Sequence, residues 1–187
     1  MSRVQEMSFD EQKIGEIVDF LIAHGAANNV HSGRSLLHHL LGTMNQLSIW
    51  EASETLCIAG LVHSVYGTEC FQGSIIDRQM RDRVRQEVGS EAEQLAYLFG
   101  VMVNASFFAA LEGVPPYELR NRLNGQPIAI DEEQLTDLCL LHLANWFEQR
   151  PRLPPEYRLI LRHEYAKMIS FLPATAARAL CDAYGFE

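Results

Sequence analysis

The sequence is poor in the features that announce the commonest metal, secreted and membrane classes. Its four cysteines, Cys57, Cys70, Cys139 and Cys181, form no CxxC pair, which argues against a zinc knuckle and, in a reducing compartment, against disulfides. Cys57 and Cys139 stand inside apolar runs and read as small core residues. No stretch offers roughly eighteen consecutive apolar residues, and the opening MSRVQEMSFDEQ lacks the apolar core of a signal peptide. Neither membrane spanning nor export is therefore expected, and a cytoplasmic location is. Positive charge is scarce too: 15 Lys and Arg stand against 24 Asp and Glu, a net charge of −9. That disfavours nucleic acid and anionic membranes as partners unless arginines cluster. The one cluster, Asp77 to Arg85 (DRQMRDRVR), is interleaved with aspartates and reads as a solvated helix face. Internal repeats and low-complexity tracts are absent as well.

What is present is a chain of 187 residues, 48% hydrophobic and 21% charged, long enough for one domain, 1–187, with a sizeable core. Apolar residues recur at helical spacing from Ser8, with Asp10 or Ser8 as cap and Gly25 as stop. A second helix is expected from about Ser35 to Ile49, where Gly42 allows close approach of a neighbour. Ser53 caps a third, Glu54 to Val65, which is apolar on most sides and so central. Asp77 caps a helix through Val88, and Ser90 with Glu93 makes a capping box for a long helix to about Glu112. Tyr117 to Asp131 is expected to hold a short helix and a loop, with Asn124-Gly125 able to turn a small hairpin onto Gln126 to Ile130. Asp131 with Gln134 opens another nearly all-apolar helix, and helices over Glu156 to Phe171 and from Pro173 to about Tyr184 finish the chain. The expectation is an all-α, single-domain bundle of about eight helices, with a core over about 12–150 and the helices of 155–185 packing on it.

The stretch Cys57 to Cys70, CIAGLVHSVYGTEC, carries the chemistry. An apolar helix end delivers His63 and Ser64 to the loop Val65-Tyr66-Gly67-Thr68-Glu69, which buries an imidazole and then breaks the helix around it. His39, His142 and Asn145 also lie on apolar helices, and buried polar groups must be paired. If the helices bearing His39, His63 and Asn145 pack together, three nitrogen or oxygen donors converge as a bundle-core metal site requires. The same residues also suit a hydrogen-bonded core network without a metal.

These residues resemble the HD-domain metal-dependent phosphohydrolases, nearest the hydrolase domain of the (p)ppGpp synthetase/hydrolase family. His39 matches the upstream His of that family, His63 the His of its His-Asp pair, and Leu143-Ala144-Asn145 its Leu-Ala-Asp. Arg85-Gln-Glu-Val-Gly-Ser-Glu-Ala-Glu-Gln-Leu resembles the helix and FGEEV-like turn that follow the site. The similarity covers roughly residues 12–150, and the HSVYGTE form also resembles an uncharacterised bacterial family. It implies an HD-like fold, a divalent metal and hydrolysis of a small phosphorylated or nucleotide-like metabolite. Ser64, however, stands for the Asp of the pair and Asn145 for the last Asp, so both metal-binding carboxylates are gone. Such a set binds Mg²⁺ or Mn²⁺ poorly. With His142 or Glu69 as a replacement ligand, Zn²⁺, Fe²⁺ or Ni²⁺ suits it better.

The expected site thus has His39, His63, Asn145 and His142 toward a metal of the Fe, Zn, Ni or Mn type, or toward none. Glu69 and Tyr66 handle protons, and Ser64 and Thr68 line the pocket. Arg120 and Arg122, beside the Asn124-Gly125 turn, can clamp a phosphate or carboxylate, and Arg34, in the His31-Ser32-Gly33-Arg34 loop, can reach the same mouth. Four readings follow: a hydrolase, an HD-fold metal-dependent oxygenase, a non-catalytic small-molecule-binding or regulatory module, and a purely structural role for these residues. A homodimer is compatible with all four.

Overall fold

The computed structural model describes residues 10–31 and 33–186, so Ser8 and Ser32 lie outside the described residues. The chain is an all-α, single-domain helical fold. Nine α-helices are described: α1 (Glu11–Ala23), α2 (Leu36–Ile49), α3 (Glu54–Val62), α4 (Arg81–Val88), α5 (Ser90–Val101), α6 (Asn104–Ala110), α7 (Glu132–Gln149), α8 (Arg162–Met168) and α9 (Ala174–Tyr184). Two small antiparallel hairpins join them: β1 (Val30–His31) with β2 (Arg34–Ser35), and β3 (Tyr117–Arg120) with β4 (Pro127–Ile130). Among the described residues no helix is long and apolar enough to cross a membrane.

Local chemistry starts most of the helices. Asp10 accepts hydrogen bonds from the Gln12 and Lys13 amides, Ser35 from His38 and Ser53 from Leu56, each satisfying a donor that the helix itself leaves open. Asp131 and Gln134 form the full reciprocal capping box of α7.

Three expectations are corrected. Ser90 and Glu93 make no capping box: α5 starts after Gly89 with no side-chain cap, because the Glu93 carboxylate is taken by Arg81 and Arg85. The long helix to Glu112 breaks at Met102–Val103, where the backbone turns outward to pair with the β3 end: the Val103 amide donates to Arg120 O and the Arg122 amide to Val101 O. Tyr117 to Asp131 holds a hairpin rather than a short helix, since Tyr117 and Leu119 alternate into the core while Glu118 and Arg120 face out.

The buried apolar residues form one cluster around α3. Every residue from Leu56 to Val62 is buried, and α2, α5 and α7 pack around the helix. Contact with α2 is close. A Cβ on Gly60 would stand 2.5 Å from Leu47 Cδ1 and 3.4 Å from the Met44 backbone.

Candidate functional site

The end of α3 is the hub. After Val62 the chain turns, yet His63, Ser64, Val65 and Tyr66 all stay buried. Their backbone is held from outside the turn, with Val65 O accepting from the Ile75 and Ile76 amides and Tyr66 O accepting from Arg78 Nη1 at 2.9 Å. Gly67 then takes φ +72, a left-handed conformation that suits glycine and reverses the chain.

α2, α3 and α7 bring His39, His63 and Asn145 together. His39 Nε2 lies 3.2 Å from His63 Nε2, and His63 Nε2 lies 3.1 Å from Asn145 Oδ1. Both rings are fully buried. The partners at the other ring nitrogens fix what these atoms present. Nδ1 of His39 meets Glu148 Oε2 at 2.5 Å, and Nδ1 of His63 meets the Gly60 carbonyl at 2.7 Å. A carboxylate and a carbonyl only accept, so both Nδ1 atoms carry the hydrogen. In neutral rings both Nε2 atoms then present lone pairs, and Asn145 Oδ1 adds a third acceptor to the same point. Such a convergence calls for a proton or a cation between the groups. Burial pushes the Glu148 carboxyl up, but hydrogen bonds from His39 and Arg152 outweigh it and bring the pKa down to about 2, so a carboxylate stands behind His39.

Against this centre lies a cavity of about 210 Å³. Ser64, His142 and Asn145 line it on the side of the centre, Phe99, Trp146 and Tyr165 form apolar walls, and the loop Thr68 to Phe71 borders it where Glu69 and Cys70 are exposed. His142 is buried, and its ring stacks on Phe107 with centroids 5.2 Å apart. Desolvation pulls its pKa down to about 4, so the imidazole is neutral. The lining side chains His142 and Tyr165 each hold a buried polar atom with no hydrogen-bond partner among the described residues, Nδ1 and the phenol oxygen, whereas the Trp146 indole N–H meets the Tyr184 hydroxyl.

The expected site residues divide accordingly. His39, His63 and Asn145 meet, and Ser64, Thr68, Glu69 and His142 line the cavity. His142 sits in an aromatic cage of Phe99, Phe107, Phe108 and Tyr165. The Glu69 carboxylate accepts the Asn104 amide at 2.8 Å.

The structure places four of the expected residues, Tyr66, Arg34, Arg120 and Arg122, outside the lining of this cavity. Tyr66 is fully buried and donates its hydroxyl to Glu93 at 3.0 Å, away from the cavity. Arg122 donates to the Gly100 carbonyl at 2.7 Å, Arg120 is exposed on β3, and Arg34 borders a separate surface pocket with Ser35 and His38. Among the described lining residues of the cavity there is no lysine or arginine.

Glu148, Gln149, Trp146 and Tyr165 went unread in the sequence. Glu148 and Gln149 had a signal, since they follow Asn145 by three and four residues and so share its helix face. Tyr165, on α8, had none. Among the described residues no group of three or more His, Cys, Asp and Glu side chains is placed to hold a metal; the convergent set is two histidines and an amide.

A family model described as a domain of unknown function (DUF6817) matches residues 20–103, a span that includes His39 and His63 but neither Asn145 nor the aromatic wall on α7 and α8. No curated protein and no solved structure matches the chain.

Proposed function

We propose that this chain is an HD-like pocket protein that binds a small molecule in the cavity beside a cation held by His39, His63 and Asn145. One observation carries the reading. Glu148 and the Gly60 carbonyl take the Nδ1 hydrogens of the two histidines, which turns both Nε2 lone pairs toward one point next to Asn145 Oδ1. A carboxylate behind a ligating imidazole holds its tautomer and raises its basicity, the usual support of a metal-binding histidine.

The donor set decides which ion is suitable. Two imidazoles and an amide oxygen suit Zn²⁺, Fe²⁺ or Ni²⁺, whereas Mg²⁺ and Mn²⁺ prefer the carboxylates that Ser64 and Asn145 do not provide. Such an ion would supply Lewis-acid character at the inner end of the cavity. Around it, Gln149 orients Asn145 by donating to its Oδ1 at 3.1 Å, the aromatic walls exclude water, and Glu69 is the carboxylate among the lining residues able to take up a proton.

A second reading has its own support. With Glu148 ionised, the histidine pair can instead share one proton, as an imidazole facing an imidazolium, and the cavity then serves binding without a metal.

Metal content separates the two. The experiment compares wild type with the His39→Ala/His63→Ala variant, both purified without chelator and without affinity-tag nickel. Near-stoichiometric transition metal in the wild type, lost in the double variant, is the expected result. A wild type that takes up no Zn²⁺, Fe²⁺ or Ni²⁺ on reconstitution overturns the metal centre and leaves the proton-sharing pair.

A further inference from the structure

We infer that the ligand of this cavity is a small, uncharged, planar heteroaromatic molecule rather than a phosphorylated metabolite. The inference rests on the proposed reading that the cavity is the ligand site.

Shape and size come first. At about 210 Å³ the cavity falls below the roughly 300–1,000 Å³ of sites for drug-sized ligands, so it takes one ring system and not a base, ribose and phosphate together. Four aromatic residues, Phe71, Phe99, Trp146 and Tyr165, line it, and rings prefer to pack on rings in offset or edge-to-face geometry. A planar ligand fills such a slot with little conformational entropy to lose.

Charge comes second. A phosphate or carboxylate group needs arginine, lysine or a cluster of backbone amides. The lining residues offer no cationic side chain, and the carboxylate of Glu69 stands at the border. An anion entering here would find no counter-charge among the lining side chains, and with the histidine pair empty it would be desolvated uncompensated.

Hydrogen bonding comes third. Buried polar atoms are nearly always paired, and an unpaired one in a native fold asks for an explanation. Here His142 and Tyr165, two lining side chains, hold one each, while the Trp146 indole N–H is directed to the Tyr184 hydroxyl. His142 is 6% exposed and Tyr165 0%. The Tyr165 phenol both donates and accepts, and a neutral imidazole offers one of each. Ring nitrogens and exocyclic amino or carbonyl groups complement that set, whereas a plain hydrocarbon would leave it unsatisfied.

Calorimetric titration with three neutral probes, nicotinamide, adenine and benzimidazole, tests this, with inorganic phosphate and adenosine monophosphate as anionic counterparts. Each is run on metal-loaded and on chelator-treated wild-type protein. Saturable binding of at least one ring probe is expected, weakened about tenfold in Tyr165→Phe and in His142→Phe, with none by phosphate. Tyr165→Phe keeps the ring and the packing, so a folded protein remains even where His142→Phe repacks. No ring probe binding at millimolar concentration, binding that both variants leave unchanged, or tighter binding of phosphate or the nucleotide than of the rings each overturns the inference. Ring binding that survives chelation alongside a wild type without metal supports it, and removes the metal reading alone.

Discussion

Glu148 occupies the room that Gly42 leaves on α2: a Cβ at Gly42 would stand 2.6 Å from Glu148 Cγ and 3.1 Å from its Oε1. That proximity lets a side chain of α7 reach the Nδ1 of His39, one turn earlier on α2, and thereby orient the ring toward His63.

Gly42→Ala is accordingly expected to displace Glu148 rather than merely fill space. The middle of a side chain cannot swing aside without carrying its carboxylate away from His39, and overpacking of this kind costs about 1–3 kcal/mol. Chemical denaturation of the variant reads the stability. Wild-type stability together with unchanged metal content would show that Glu148 has another route to the histidine.

Glu148→Gln keeps the volume and removes the charge. Replacing the outer partner of a ligating histidine lowers metal affinity by roughly 10–100-fold, and the Arg152 side chain, which donates to the same oxygen at 2.8 Å, loses its ion pair as well. A chelator-competition titration measures the change. Equal affinities in wild type and variant would assign Glu148 to Arg152 alone.

His142 gives stability a pH dependence whose sign is fixed. Its imidazole titrates near 6.5 in the unfolded chain but near 4 in the folded one. Across that interval the unfolded state binds more protons, so stability falls as pH drops from 6.5 to 4, by at most about 1.4 kcal/mol per pH unit from this group. His142→Phe is expected to flatten that slope. Denaturant midpoints at about pH 7 and about pH 5 decide it, and identical slopes in the two proteins would mean that His142 is charged in the folded state.

Tyr66→Phe is expected to cost roughly 0.5–1.5 kcal/mol, the worth of one hydrogen bond, because Arg81 and Arg85 still hold the Glu93 carboxylate. Metal content and ring-probe binding should stay as in the wild type. A variant with normal stability and abolished binding would return Tyr66 to the site.

What the sequence determined by itself is local. Asp10, Ser35, Ser53 and the Asp131–Gln134 pair start helices where the spacing of apolar residues requires them, since a cap acts on amides two or three residues away. The burial of α3 was legible for a similar reason: a helix apolar on all sides has no face to turn to water. His39, His63 and Asn145 could be named as a group, though nothing in the chain gave the distances among them.

Tertiary structure decided the rest. Glu93 fits a capping box by local spacing, but two arginines from the preceding helical segment claim it. The helix expected to run to Glu112 ends at Val101, eleven residues early, because β3 offers its backbone a partner. Glu148 and His39 are separated by 109 residues, and Tyr165 reaches the cavity from a helix whose sequence gives no hint of it. Each is a choice among competing partners, and it is settled by which groups the packed core brings within reach, not by the order in which the chain presents them.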